Sequence, residues 1–370
     1  MKKILILVIA LALVGGVAMA QVTVGGIVEM RTHNNFDDFQ ASTMGDTRLT
    51  VSAQVGDYNT ATMRIPARPE VETTDIDGAV RIDRAHVTTN LGALIGTDEM
   101  GLGITVNWGW NEWGYADFIK FTGYEFEQVQ VGKAVTIGSK FNFNVMGMAN
   151  VYFAVGMDET NLEEVTNILV GFDTAVDVGV GTLSAELVYG SMGAADIAEG
   201  ELGFGVKLAG VELADGIALT AGGSYTLAVD SDVDASQWGF GLGVDYGALA
   251  SLGVSMTGLL GDDAAAQDAE FDRVGVNLRL APAAFVRFDI GSVIGVADRY
   301  ENAFDSLDVS TTVNAGRAAF RFGYLYVDED NTPAIKRDLR ASFNPAVTTT
   351  TGARVAQDVS GLYIRATLAF

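Results

Sequence analysis

Few residues in this chain have the types and spacing that catalysis or metal binding requires. There are two histidines, His33 and His86, and no cysteine. Nucleophilic catalysis needs a histidine beside a serine, aspartate or similar partner, and neither histidine has such a neighbourhood in the sequence. The absence of cysteine excludes thiolate metal sites and a disulfide framework. We therefore expect no catalytic residue, no metal site and no cofactor, while an enzyme remains one alternative.

An acidic segment has part of the spacing of a calcium loop. Asp230, Asp232 and Asp234 stand at alternate positions, as the first three ligands of an EF-hand do. That loop also needs glycine at its sixth position and glutamate at its twelfth, where this chain has Ala235 and Gly241. A solvated acidic loop is the better interpretation, and divalent bridging to a charged lipid is the alternative.

Glycines recur at every second position in two segments, as Gly203-x-Gly205 and Gly239-x-Gly241-x-Gly243. A dinucleotide-binding loop would require a helix directly after such a run, and no helical pattern follows either one. Glycine within a strand instead leaves room for another part of the chain to approach the sheet.

Arginine has the clearest functional spacing. In segments where apolar and polar residues alternate, arginines stand on the polar side, and a guanidinium group there binds anions or pairs with a carboxylate. These arginines are Arg31, Arg48, Arg64, Arg84, Arg273, Arg279, Arg287, Arg317, Arg321 and Arg365. The same faces carry few acids, chiefly Glu29, Asp289 and Asp308. Simple pairing of each arginine with a nearby carboxylate is the alternative to a collective anion-attracting surface.

The elements that position these residues are β-strands. Alternation is clearest at the C-terminus, where Leu362, Ile364, Ala366, Leu368 and Phe370 alternate with polar or amphipathic residues. This period of two predicts strands through nearly the whole chain after Gln21. The resulting interpretation has 18 strands, at roughly 22–32, 47–55, 59–66, 80–90, 100–110, 128–135, 140–153, 167–177, 182–191, 201–208, 218–228, 237–246, 250–260, 271–280, 285–293, 307–314, 317–327 and 361–370.

The N-terminus has the pattern of an export signal. Lys2 and Lys3 precede the apolar stretch 4–14, and Ala18-Met19-Ala20 forms a small-x-small cleavage site. We expect residues 1–20 to be removed and residues 21–370 to form one domain. The chain carries 47 acidic and 23 basic residues, a net charge of −24, which argues against nucleic acid as a partner.

An exported, apolar chain without a long uncharged run has few possible folds. Hydrophobic residues make up 49% of the sequence, yet no stretch after Val17 is apolar and uncharged over 18 residues. Because a membrane-spanning chain must pair all its backbone groups, the remaining possibility is a closed barrel. The sequence predicts an all-β fold: a single antiparallel transmembrane β-barrel of 16–18 strands. A secreted β-sandwich or β-solenoid is the soluble alternative.

The connections between predicted strands alternate in length. Odd connections are long and acidic, such as 33–46, 67–78, 156–164 and 261–270. Even connections are short, such as 56–58, 137–139, 281–283 and 315–316. Long outer loops and short periplasmic turns are typical of outer-membrane barrels.

The last segment, Gly361-Leu-Tyr-Ile-Arg-Ala-Thr-Leu-Ala-Phe370, resembles the C-terminal assembly signal of outer-membrane β-barrels, which ends in an aromatic residue. In size, one-domain layout and loop pattern the chain is similar to the Gram-negative general porin superfamily. The segment Arg81-Ile-Asp-Arg84-Ala-His86-Val is also similar to the arginine-rich fourth-strand region of phosphate-type porins. The resemblance implies an outer-membrane location, recognition of Phe370 by the barrel-assembly machinery, and contact with lipid and lipopolysaccharide.

The resemblance also implies a constriction. In general porins the third outer loop folds into the lumen, and the corresponding connection here follows the fifth predicted strand. Its acids are Glu112, Asp117, Glu125 and Glu127. We expect them to face the basic wall across the pore. Six inward glycines would provide the space: Gly203, Gly205, Gly239, Gly241, Gly243 and Gly253. The alternative is that residues 117–124 form an ordinary strand.

Lipid-facing side chains give two further expectations. Trp108, Trp110 and Trp238 fall on the apolar face near strand ends, as in an aromatic girdle at the membrane interface. The first four predicted strands present no aromatic residue outward, and a smooth surface permits close packing of neighbouring barrels. We therefore expect a homotrimer joined through these strands.

The function that this sequence favours is passive diffusion of small hydrophilic solutes and ions through a water-filled lumen. A barrel of 16–18 strands is wide enough for a channel unless something blocks it. The basic wall predicts a mild anion preference, because low-dielectric walls focus the local field. A structural or adhesive barrel without an open channel, and an outer-membrane enzyme, are the alternatives.

Overall fold

The computed structural model describes twelve segments of the chain. They are residues 22–34, 39–44, 48–66, 84–113, 134–158, 167–191, 200–229, 236–260, 271, 273–296, 304–327 and 361–369. The described residues form one sheet of nineteen antiparallel strands with a short helix and a 3₁₀ turn between two of them. None of the helices in these segments is long and apolar enough to cross a membrane.

The strands follow one another around the sheet in chain order. They are β1 (Val22–Asn34), β2 (Phe39–Met44), β3 (Arg48–Val55), β4 (Asn59–Pro66), β5 (Arg84–Asn90), β6 (Leu102–Trp113), β7 (Ala134–Val145), β8 (Ala149–Asp158), β9 (Asn167–Asp177), β10 (Thr182–Ser191), β11 (Gly200–Ala214), β12 (Ile217–Val229), β13 (Ser236–Tyr246), β14 (Ala250–Leu260), β15 (Arg273–Ala283), β16 (Val286–Gly295), β17 (Phe304–Ala315), β18 (Ala318–Val327) and β19 (Gly361–Ala369).

The sheet closes on itself through its first and last strands. β1 pairs with β19 in continuous register from Ile27–Ala369 to Asn34–Leu362. On its other side, β1 pairs with β3 along its first half and with β2 along its second half. β2 and β3 therefore share one strand position in the barrel wall. We call each such position a stave, and the barrel has 18 staves. The predicted closed antiparallel barrel of 16–18 strands is confirmed, and its 18 staves equal the number of strands in the sequence interpretation.

Alternation along the strands separates an apolar outer face from an inner face. On β19, Leu362, Ile364 and Leu368 are exposed, whereas Gly361 and Tyr363, at the alternate positions, are buried. The same rule holds on β16, where Phe288 and Ile290 are exposed. In a membrane the exposed apolar side chains face lipid, and the intervening residues face the lumen.

The connections that the structure describes lie at one end of the barrel, which we call the turn end. Most have two to four residues, such as Met146-Gly147-Met148. Backbone hydrogen bonds join neighbouring turns, for example Met146 N to Gly101 O at 2.6 Å and Ala281 N to Leu249 O at 2.7 Å. The longer connections at the opposite end, the loop end, lie outside the described residues. The prediction of short turns at one end is confirmed, but the predicted turn at 281–283 belongs to β15 and the turn lies at 284–285.

One turn-end connection contains a helix that the sequence pattern did not predict. α1 (Leu91–Ile95) follows β5 directly, and Asp98–Met100 forms a 3₁₀ turn before β6. The Asn90 side chain accepts a hydrogen bond from Ala93 N, and Gly96 ends the helix with a φ of 80°. The helix is too short for periodicity to reveal, so only its capping residues carried a signal.

The predicted sixth and seventh strands are wrong in their bounds. The sequence interpretation placed a turn at 137–139, but β7 runs through these residues and the turn lies at 146–148. Gly138 faces Gly156 directly, and a Cβ there would meet the Val155 carbonyl oxygen. This glycine therefore reflects close backbone approach, and the true turn was hidden because Met146 adopts a positive φ of 54°.

Candidate functional site

The lumen-facing arginines lie on one continuous part of the wall. Cross-strand register places three pairs of them directly opposite each other: Arg64 with Arg84, Arg321 with Arg365, and Arg365 with Arg31. Like charges in such positions are destabilising unless something compensates them. The predicted arginines lie on eight described strands: β1, β3, β4, β5, β15, β16, β18 and β19. For Arg31 only the backbone position on β1 is described. Arg317 is an exception, because it lies in the exposed turn before β18.

A buried carboxylate holds two of these arginines. Asp289 is fully buried and accepts a hydrogen bond from Arg279 Nε at 2.9 Å and another from Arg287 Nε at 2.7 Å. The arginine side chains are 26% and 36% exposed. For Arg279 and Arg287, pairing with a wall carboxylate, which the sequence left as an alternative, is therefore observed. Three ions with two positive charges leave a net charge of +1.

A second buried carboxylate organises the neighbouring strands. Asp308 accepts hydrogen bonds from Arg321 Nη2 and from the Tyr363 hydroxyl, both at 2.8 Å. Tyr363 is directly opposite Gly323, and its ring occupies the place where a side chain on Gly323 would stand. The Arg321 guanidinium lies 5.8 Å from the centre of that ring. We call Asp308, Arg321, Tyr363 and Arg365 the basic cluster.

The opposite part of the wall carries acids on its strands. Asp173 on β9 and Glu186 on β10 are direct register partners. Tyr152 donates its hydroxyl proton to Glu186 Oε1 at 2.9 Å, and Asn150 donates to Asp173 Oδ1 at 2.7 Å. Lys140 Nζ lies 4.6 Å from the centre of the Tyr152 ring. We call these five residues the acidic cluster.

The two clusters face each other across the barrel. With β2 and β3 counted as one stave, β8–β10 are staves seven to nine and β17–β19 are staves sixteen to eighteen. They are therefore half a circuit apart. The acidic cluster has two negative charges and one positive, and the basic cluster has the reverse. The lumen thus has a charge difference across it that arises from strand residues.

Sequence reasoning missed this acidic wall. It assigned the opposing charge to Glu112, Asp117, Glu125 and Glu127. Glu112 lies on β6 with an undescribed side chain, and the other three lie outside the described residues. The signal that could have found the wall was available, since alternation along β9 and β10 places Asp173 and Glu186 on the inner face.

Part of the inner face is neither polar nor open. Val188, Val293 and Leu325 are lumen-facing by register with polar or glycine partners, and each is fully buried. The six inward glycines that the sequence singled out are also buried: Gly203, Gly205, Gly239, Gly241, Gly243 and Gly253. Part of the described inner wall is therefore apolar and covered, which the inward series of polar residues and glycines did not indicate.

The predicted tryptophans lie on the outer face. Trp108 is 55% exposed and donates its indole N–H to the Thr89 hydroxyl at 3.3 Å, near the middle of β6 because that strand continues to Trp113. Trp238 stands near the loop end of β13 and packs edge-on against Phe271. Trp110 faces outward by register, but its side chain is not described. Phe370 lies outside the described residues.

Comparison with solved structures gives the fold relationship. The chain matches a mutant of the Rh. blastica porin at 11% identity with a TM-score of 0.52, covering 95% of this chain and 100% of the porin. It matches Pseudomonas aeruginosa OpdL at 10% identity and 0.54, covering 95% and 99%. It matches Pseudomonas aeruginosa OccK11 (OpdR) at 9% identity and 0.54, covering 95% and 96%. No protein-family model and no curated protein matches it. The chain has the barrel fold of these porins and outer-membrane channels.

Proposed function

We propose that this protein is an outer-membrane porin through which small hydrophilic solutes and ions diffuse passively. The observation that carries the proposal is the closed barrel of 18 staves whose inner face holds two charged clusters of opposite sign. Like charges directly opposite each other in a sheet are destabilising. A barrel whose inner face only packed an apolar core would gain nothing from opposed arginines, whereas a pore gains an interaction with passing ions.

Single-channel recording tests this proposal. The purified protein, inserted into a planar lipid bilayer, is expected to give stable open steps whose conductance rises with salt concentration. The same preparation left unfolded provides the control. A correctly folded barrel that inserts and produces no open steps would contradict the proposal.

We further propose that the pore prefers anions, although the chain is acidic. The wall arginines on the described strands face the inside of the barrel, where low-dielectric surroundings focus their field and make local charge outweigh the net charge of the chain. Replacing Arg48 and Arg84 with alanine is expected to lower the anion preference, as measured by reversal potential in a salt gradient. Lys207→Ala, which removes a positive charge from the opposite wall, is the matched control. Cation selectivity unchanged by the Arg48 and Arg84 replacements would show that these arginines do not set it.

One observation favours the second candidate, a structural or adhesive barrel with no open channel. Val188, Val293 and Leu325 face inward and are fully buried, so the lumen is filled beside them. Conductance separates the two functions, because a filled barrel carries no current whatever its charge pattern.

Maturation and assembly belong to the same proposal. Cleavage after Ala20, recognition of Phe370 by the barrel-assembly machinery and insertion among lipid and lipopolysaccharide follow from an outer-membrane location. Association as a trimer through β1, β3, β4 and β5 is supported by their outward residues, such as Val24 and Val51, none of which is aromatic in these strands as described. Mass measurement in mild detergent, with cross-linking in membranes, checks the trimer. A monomer in both would contradict it.

A further inference from the structure

Three neighbouring connections at the turn end carry large apolar side chains that the fold leaves exposed. They are residues 91–101 between β5 and β6, 146–148 between β7 and β8, and 178–181 between β9 and β10. None of the other described turn-end connections has more than one such side chain. The exposed apolar residues of the three connections, which we call the apolar rim, are 45% to 79% exposed: Leu94, Ile95, Met100, Met146, Met148, Val178 and Val180.

The turn at 146–148 shows that local structure does not account for these residues. Met146 takes a positive φ of 54°, a conformation that costs energy for a residue with a side chain and that glycine adopts freely. The turn at 56–58 has Gly56 in this conformation, with a φ of 67°. Met146 is nevertheless 68% exposed. A residue that suits neither the turn backbone nor water indicates that its side chain meets an apolar partner.

The apolar rim continues the outward surface of the strands. On β7 and β8 the outward residues nearest the turn are Val145 and Val151, which are 40% and 42% exposed. On β9 and β10 the corresponding residues are Val176 and Leu183, each 38% exposed. In a membrane barrel this outward surface contacts lipid. The surface that faces lipid therefore passes onto the rim.

α1 packs against the barrel and so fixes the first of the three connections. Ile104 is on the same face of β6 as the exposed Trp108, and yet it is only 9% exposed. A Cβ on Gly92 would meet the backbone nitrogen of Ile104, so the helix lies directly against this strand. Met146 N donates to Gly101 O at 2.6 Å and joins this connection to the next. The first two connections therefore form one held surface.

The composition of the three connections favours acyl chains as the occupant. They contain no tryptophan or tyrosine, which are enriched at the head-group level, and no lysine or arginine to attract anionic head groups. A protein interface would add a polar periphery with hydrogen bonds to its apolar centre. The charged residues here are Asp98 and Glu99, which anionic head groups would repel. Apolar area alone must therefore supply the attraction.

We propose that the apolar rim lies among the acyl chains of the leaflet at the turn end, and that it anchors the barrel on the side of β5–β10. The turns at 56–58 and 316–317, Gly-Asp-Tyr and Gly-Arg, stay in water. An amphipathic element at an interface buries its apolar face about 5–10 Å into this boundary. The anchor goes beyond the proposed diffusion function and rests only on the membrane location.

Site-directed spin labelling tests the anchor, because the chain contains no cysteine and an introduced one is unique. Leu94→Cys, Met148→Cys and Val180→Cys each place a nitroxide on the rim of the full barrel in phosphatidylcholine vesicles. A nitroxide among acyl chains collides often with oxygen and rarely with a water-soluble nickel complex. We expect the three rim labels to be several-fold less accessible to nickel than a label at Asp57→Cys, in the exposed turn at 56–58.

A label on the strands separates the anchor from the membrane location. Phe240→Cys, at a position on β13 that is 47% exposed, is the control for insertion. Rim labels as accessible to nickel as the Asp57 label, with the Phe240 label in lipid, would overturn the anchor and leave a periplasmic protein as the occupant of the rim. A Phe240 label in water would contradict the membrane location and the anchor together. Rim labels in lipid, in a barrel that gives no open steps, would contradict the channel function and keep the anchor.

Discussion

The walls that carry the acidic and basic clusters share one construction and differ in charge. In each, a tyrosine lies flat over a glycine on the next strand and donates its hydroxyl proton to a carboxylate one strand further, Tyr152 to Glu186 and Tyr363 to Asp308. In each, two like charges face each other in register. The clusters differ in where the carboxylate lies, since Asp308 is 2% exposed and Glu186 is half-buried.

This difference in burial follows from the function of the carboxylate, which is the minority charge in the basic cluster and the majority charge in the acidic cluster. In the basic cluster the carboxylate must offset arginines within a low-dielectric wall, so it is buried among their donors, as Asp289 is among its own. In the acidic cluster the carboxylates are the majority charge, and Lys140 offsets them from above the tyrosine ring. The same tyrosine and glycine arrangement thus supports opposite charges, and stability should depend on the carboxylates of one wall only.

The largest expected effect comes from the buried carboxylate beside the basic cluster. Asp289→Asn leaves Arg279 and Arg287 without their shared counter-charge and should lower the free energy of unfolding by about 3 kcal/mol, partial exposure of the arginines reducing the full penalty of a broken buried pair. Asp173→Asn in the acidic cluster should leave stability nearly unchanged, since it removes one of two opposed like charges and keeps an acceptor for Asn150. Urea unfolding in detergent micelles measures the free energy of unfolding of both variants. Equal losses in the two variants would contradict the difference that we expect between the two walls.

The glycines beneath the tyrosines should give the next largest effect. Gly171→Ala and Gly323→Ala place a methyl group where the Tyr152 and Tyr363 rings lie, so each ring must move. We expect a loss of about 1–3 kcal/mol in each variant, the usual range for overpacking. Gly103→Ala on β6 is the matched control, since its Cβ would meet only ordinary contacts, the nearest at 3.5 Å. Losses no greater than in this control would show that the rings are not fixed by the glycines.

The smallest expected effect is the loss of one tyrosine hydroxyl, and its cost should differ between the two clusters. Tyr363→Phe removes one of the donors of a buried carboxylate and should cost about 1.5–2 kcal/mol, because hydrogen bonds to charged groups are the stronger class. Tyr152→Phe should cost about 0.5–1 kcal/mol, since water can replace the lost donor at the more exposed Glu186. The measurement is again urea unfolding, with Tyr246→Phe in an exposed turn-end position as the reference. A larger loss for Tyr152→Phe than for Tyr363→Phe would reverse the argument.

Much of the fold was predictable because each strand carries its own pattern. Alternation along β19, with Leu362, Ile364 and Leu368 on one face, needs no knowledge of the neighbouring strands. The range of 16–18 strands followed from the same pattern and from the alternation of short and long connections, and the structure has 18 staves. The prediction of turns failed at two positions. Gly138 suggested a turn, but it is a glycine because the neighbouring backbone approaches it closely. The true turn was missed because Met146 takes the left-handed conformation that glycine usually occupies.

The sequence by itself determined that this chain forms a closed barrel with arginines on its inner face. Periodicity is a local property, so the inward position of Arg321 or Arg365 can be derived from its own strand. The tertiary structure decided which inward residues meet. Cross-strand register and barrel closure set Arg365 opposite Arg321, place Thr312 between Arg321 and Arg287, and put Asp173 and Glu186 half a circuit from them. Register depends on the pairing of every stave around the sheet, and no single strand contains that information.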